Sequence, residues 1–217
     1  MKRKITITLL SCAALAAFTP SLRAATTLLD NTSNPISSTN AVAWGSSWLV
    51  GLAFSTGSTA YNLHSIQFAP KGDGSLGTFT VSLYQGDATS KNPTGSALAS
   101  QTFSGISFTN TATALTENLN DSFSLETQSY YVLVLSTDLS DAGIASAEPV
   151  TTFDPGTSGL TYLGREFSLN GGSSWGGPFD SGTPWMKLTG TAVPEPSAFV
   201  MLGLGAIGLV ARRRRVG

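Results

Sequence analysis

The chain has 217 residues and a formal net charge of −1. Only 12% of its residues are charged, about half the roughly 25% usual in soluble globular proteins. Ser (29) and Thr (27), with 23 Gly and 10 Pro, favour short strands and turns over long helices and speak against a coiled coil, while a 41% hydrophobic fraction is enough for a core. The charge is segregated. Lys2, Arg3, Lys4 and Arg23 stand at the front, and Arg212, Arg213, Arg214 and Arg215 at the back. Between them, four basic residues (Lys71, Lys91, Arg165, Lys187) face twelve acidic ones up to Val193, a net of about −8. No basic stripe is left for a phosphate backbone, so nucleic acid is excluded as a partner. The single cysteine, Cys12, leaves the middle without a disulfide, a thiolate nucleophile or a cysteine metal site.

In chain order, residues 1–24 have the layout of a secretory signal helix. Lys2–Lys4 form a positive start, Ile5–Phe18 an apolar stretch, and Thr19–Ala24 a polar, Pro-containing end closing on a small residue. Cleavage is expected after Ala24, although Leu22 is large for its position. Leu9-Leu10-Ser11-Cys12 offers a lipoprotein box as a rival, but the apolar region runs past Cys12 and Leu10 is bulky where such boxes are small.

Residues 25–192 are predicted to form one antiparallel β domain, a β-sandwich or jelly-roll-like fold. Apolar or alternating runs recur about every ten residues: Trp48–Phe54, Tyr61–Phe68, Thr78–Tyr84, Leu98–Phe103, Tyr130–Ser136, Leu160–Phe167 and Trp185–Thr191. Phe79, Val81 and Leu83 alternate with Thr78, Thr80 and Ser82 as in a half-buried strand. Tyr131–Leu135 is apolar on both faces, the pattern of a central strand. Lys71-Gly72-Asp73-Gly74, Asn92-Pro93-Thr94-Gly95 and Asp154-Pro155-Gly156 are turn chemistries. Part of this stretch resembles the choice-of-anchor R type of domain. The residues concerned are Phe54-Ser55-Thr56-Gly57, Tyr61-x-Leu63-x-Ser65-Ile66, Val81-Ser82-Leu83-Tyr84, Pro93-x-Gly95-x-x-Leu98-Ala99 and Tyr130-Tyr131-Val132-Leu133-Val134. That resemblance implies a sandwich without established catalytic residues.

Chemistry-bearing residues are sparse in the middle. Gly172-Ser173-Ser174-Trp175-Gly176 fits the hydrolase elbow G-x-S-x-G, but His64, the only histidine, precedes Ser174 by over a hundred residues. Ser168-x-Asn170-x-Gly172-x-x-Trp175 resembles an Asp-box hairpin with Asn for Asp, which implies a structural turn. His64 is expected to face solvent from a strand. Asp138 and Asp141, with Asp73 or Asp154, could supply some of the six or more oxygens that calcium needs, but acidic turns are commonly just solvated, so no metal and no cofactor is expected. Glu117, Asp121 and Glu126 could be imagined as a glycosidase pair, a matter of carboxylate separation that spacing alone does not decide. Trp44, Trp48, Trp175 and Trp185 could form a platform for sugar rings, against the more usual role of tryptophans as core or hairpin anchors. Ice binding would want regular threonine arrays, and Thr78-x-Thr80, Thr111-x-Thr113 and Thr189-x-Thr191 are irregularly spaced.

The C-terminal residues 193–217 carry the most specific signal. The motif Val193-Pro194-Glu195-Pro196-Ser197 is followed by the apolar run Ala198–Ala211 and by four arginines and Val216-Gly217 in 212–217. As a helix, the apolar run makes a short, marginal membrane span, and the arginines should stay cytoplasmic. Gly203-Leu204-Gly205-Ala206-Ile207-Gly208 matches the dinucleotide fingerprint G-x-G-x-x-G, but no acidic residue follows about 20 positions on, so the nucleotide reading fails. The three parts in this order resemble the PEP-CTERM sorting signal, which is labelled ice-binding protein C-terminal domain in some classifications. The resemblance implies an exosortase-type processing enzyme as partner, with transit through the inner membrane; a bare tail anchor is the alternative. The expectation is an exported, non-enzymatic protein of the cell surface or extracellular polysaccharide matrix. The alternatives are a secreted carbohydrate-binding module using exposed tryptophans and, remotely, a hydrolase.

Overall fold

The computed structural model describes residues 24–44, 47–148, 153–154, 158–179 and 183–194, with the side chains of 38–44, 120–122 and 178–179 outside the description. The signal segment ahead of Ala24, the membrane run 198–211 and the arginine block therefore lie outside the described residues. Among the described residues no helix is long and apolar enough to cross a membrane.

The described chain is all-β, and every paired strand is antiparallel. The strands are β1 (Thr26–Asp30), β2 (Ile36–Trp44), β3 (Leu49–Ser55), β4 (Tyr61–Phe68), β5 (Pro70–Lys71), β6 (Ser75–Gly86) and β7 (Pro93–Phe108). There follow β8 (Leu115–Leu125), β9 (Tyr130–Thr137), β10 (Ala142–Ala147), β11 (Thr161–Ser168), β12 (Gly176–Phe179) and β13 (Met186–Ala192). They form a four-stranded sheet in the order β1-β13-β4-β8, a six-stranded sheet in the order β12-β11-β3-β9-β6-β7, and a small sheet β2-β10-β5.

Alternation along the strands decides which side is buried. In β6, Phe79, Val81 and Leu83 are fully buried while Thr78, Thr80 and Ser82 face outward. In β4, Leu63, Ile66 and Phe68 turn inward. The facing sides of the two larger sheets share one core that includes Leu28, Leu52, Phe54, Phe68, Phe79, Phe123, Leu133 and Leu188. Phe68 of one sheet stacks on Phe79 of the other at 4.1 Å between ring centroids. β9 lies between β3 and β6, and Tyr131–Leu135 are all buried, as their two-sided apolar pattern predicts. Its outward residues Val132 and Val134 form a second cluster with Ala53, against which Leu49, Tyr84, Leu163 and Trp175 pack.

Each of the seven predicted runs falls on a strand, and two differences stand out. The turn predicted at Asn92–Gly95 lies earlier: Asp87 Oδ1 accepts from the backbone N–H of Thr89 and Ser90 at 2.9 and 2.6 Å, and Pro93 already opens β7. That hydrogen bonding holds the Asp87 carboxyl below the usual range. β7 is an edge strand, where a first-position proline removes no needed donor. β1, β2, β5, β8, β10 and β12 were not among the predicted runs. Of the turn at Asp154–Gly156, Pro155 and Gly156 lie outside the described residues.

Candidate functional site

The fold delivers the C-terminal motif directly from its last strand. β13 is held between β1 and β4 up to Gly190 and by β4 up to Ala192, and the backbone N–H of Val193 still donates to the Ala60 carbonyl at 2.8 Å. Val193 is 37% exposed and Pro194 is exposed. Glu195, Pro196 and Arg212–Arg215 lie outside the described residues. The start of β13 is anchored by Asn31, whose Nδ2 donates to the Pro184 carbonyl while its Oδ1 accepts from Met186 N–H, both at 2.8 Å.

The tryptophans divide. Trp185 is core, 6% exposed, packed with Ala69, Ala145 and Ala147, and its Nε1–H donates to the Asn34 carbonyl at 2.8 Å. Trp175 is half-buried on the outward cluster of the six-stranded sheet. Trp48, by contrast, is 48% exposed. The Trp44 side chain lies outside the described residues. A hydrogen bond from Gly171 N–H to the Ser47 carbonyl, 2.9 Å, brings the Trp175 loop to the Trp48 end of β3. Trp185 is thus removed from any sugar platform by the burial that its hydrogen-bonded indole requires.

Ser174 sits in a side-chain turn. Asn170 Oδ1 accepts from Ser174 N–H at 2.9 Å, and Asn170 Nδ2 donates to Ser174 Oγ at 2.8 Å. Ser168 Oγ accepts from Gly172 N–H at 2.8 Å, closing the same loop, with Gly171 and Gly172 at positive φ. This is the arrangement expected of an Asp-box-like hairpin with Asn in the acidic position. His64 belongs to the other large sheet. It is half-buried rather than open to solvent, because its Nε2 shares a 2.8 Å hydrogen bond with Thr191 Oγ1 across the β4–β13 pair. His64→Ala should therefore cost about 1 kcal/mol, the net worth of one such bond, and a thermal melt measures it. A loss of several kcal/mol would mean that the ring carries more than this contact.

The acidic turn residues are used locally. Asp138 Oδ1 accepts from Thr78 N–H at 2.7 Å and Asp73 Oδ1 from Ser75 N–H at 3.0 Å, hydrogen bonds that hold both carboxyls below the usual range. Asp141 accepts from Ser140, and Asp154 pairs with Asp30 as an isolated bridge. Burial alone would raise the Asp30 carboxyl, but hydrogen bonds from Thr32 and Lys187 bring it below normal. Among the described residues no three His, Cys, Asp or Glu side chains group as a metal site. Glu117 is half-buried on β8 and Glu126 is exposed at its end, while the Asp121 side chain lies outside the description.

Glu166 is the one group that the strand patterns leave out. It is fully buried on β11, and among the described residues neither carboxyl oxygen has a hydrogen-bond partner. A register shift on β12 between the partners of Arg165 and Phe167 lays Gly177 across it, and a Cβ on Gly177 would collide with Glu166 Oε2. On the other side lies Gly51, where a Cβ would stand 3.2 Å from both Glu166 Cβ and the Trp175 ring. Gly177 has φ +142°, which side chains other than glycine rarely adopt. Burial pushes the carboxyl up to about 7. Its signal in the sequence was faint: Arg165-Glu166 is the one charged pair inside an otherwise apolar strand run.

Residues 192–215 match the family model of the PEP-CTERM protein-sorting motif. No curated protein and no solved structure matches the chain. The motif implies export, sorting to the cell surface and an exosortase as processing partner.

Proposed function

We propose that this is an exported, non-enzymatic β-sandwich protein of the cell surface or extracellular matrix. Its C-terminal segment holds it briefly in the inner membrane with the arginines on the cytoplasmic side, until an exosortase-type enzyme processes it at Val193-Pro194-Glu195-Pro196. The observation that carries this reading is the junction. The fold finishes at Ala192, and the matched motif begins where the backbone leaves the sheet and becomes exposed. A processing enzyme can therefore engage the motif without unfolding the domain. The hydrogen bonds that engage Ser174 in its own turn, and the separate sheet that carries His64, support a non-enzymatic role.

Changing Pro194, Glu195 and Pro196 together to alanine should leave the domain folded and trap the full-length protein in the membrane. Cell fractionation with blotting is the readout. Equal release of variant and wild type would overturn the reading.

A further inference from the structure

We propose that a second copy of this chain pairs edge to edge along β7, joining two six-stranded sheets into one antiparallel sheet about a two-fold axis. A strand that ends a sheet presents unpaired backbone N–H and C=O groups, and soluble proteins guard such edges with charge, proline or brevity. Of the other edges, all but β2 are guarded. β1 ends in Asp30, β8 carries Glu117 and Asp121, β12 has four residues including Pro178, and β5 has two beginning with Pro70. β7 has 16 residues, none of them charged, and among the described residues its backbone ladder is with β6 alone, while the Gln101 side chain donates to the Asn118 carbonyl of β8 at 3.1 Å.

Between its register shifts, Ala99–Ser104 forms a regular ladder on Leu83–Thr78. The outward side chains there are hydroxyls already in cross-strand pairs: Thr80 with Thr102 and Ser82 with Ser100, each at 2.8 Å and exposed. Leu98, next to this segment, is 57% exposed. A strand of such composition is self-complementary. Turned end for end, it meets hydroxyls with hydroxyls and brings no like charges together. This favours a copy of the same chain over a charged partner strand.

Two measurements on the full-length chain in mild detergent test this. In sedimentation, the wild type should show a concentration-dependent dimer, and Ser100→Lys with Thr102→Lys should raise its dissociation constant at least tenfold. The thermal melt should stay nearly unchanged, because both positions are exposed. In a Cys12→Ser background, single cysteines at Leu98, Ser100, Thr102 and Ser104 should form intermolecular disulfides most readily at the position nearest the two-fold axis. A cysteine at Thr80, one strand in, should form none. A monomer at every concentration would overturn the proposal. So would a dimer that survives the lysines, since it would be held by β2, which is also uncharged, or by the C-terminal segment.

Discussion

Val134→Asp is expected to unfold the domain or to stop its secretion. Val134 is 4% exposed on the central strand β9 and belongs to the outward cluster with Ala53 and Val132. A carboxylate there meets no partner. Losing a buried aliphatic side chain costs about 1–4 kcal/mol, and burying an unpaired charge adds several more. Domains of this size are typically stable by only about 5–15 kcal/mol, so the substitution removes most or all of the margin. The comparison is Thr80→Asp, on the outward side of β6, where the loss is one exposed hydroxyl pair and some strand propensity, about 1 kcal/mol. Circular dichroism melts of the two variants should differ by tens of degrees. Equal melting would mean that β9 is not buried on both sides.

The second large effect depends on pH. The unfolded chain releases the Glu166 proton near 4.5 and the folded chain near 7. Below about 4.5 both states hold the proton and the ionisation penalty vanishes. As pH rises through this window the unfolded state ionises first, so stability falls, and above about 7 the full penalty is present. A shift of this size corresponds to about 3 kcal/mol, or roughly 6–12 °C in melting temperature. Wild type should therefore melt lower at pH 8 than at pH 5, while Glu166→Gln should lose that difference, whatever its stability at one pH. The aspartates act in a separate range: Asp30, Asp73, Asp87 and Asp138 titrate below 3.8 when folded, so their contribution is lost only on going below about pH 4. A Gln variant that keeps the fall between pH 5 and 8 would assign it to another group.

Strands with a clean period and large side chains were legible in the sequence. Thr78–Tyr84 alternates without interruption, and Tyr131–Leu135 needs no alternation because both faces are covered. β8 escaped because its register on β4 breaks between Leu63 and Ser65, so that Asn118 and Phe123 are paired with near neighbours across an irregularity. Its buried residues Leu119, Phe123 and Leu125 keep a period of two, but Glu117 and Asp121 stand at the same parity in the sequence and break the apolar series. β10 escaped for another reason. Ala142–Ala147 is buried at every position with Ile144 as its one large apolar side chain, and small residues carry little pattern. Glu166 was barely legible because the backbone of Gly177 that covers it reaches it only through the turn that Asn170 organises. The sorting motif was the reverse case. Its meaning is carried by residue order and not by packing, so it was the most readable feature of the chain.

The place of β13 also sets when its sheet can close. The strand formed last in the chain is an inner one, bonded to β1 on one side and β4 on the other, and β1 has no other neighbour in its sheet. A chain threading outward N-terminus first thus carries its opening strand across at the start and must wait for the closing one. Until Ala192 has crossed, Leu28 and Leu29 have no sheet to join, and the long loop joining β1 to β13 makes that closure slow. The residues that follow β13 are those of the sorting motif, so the sheet can close only as the motif emerges.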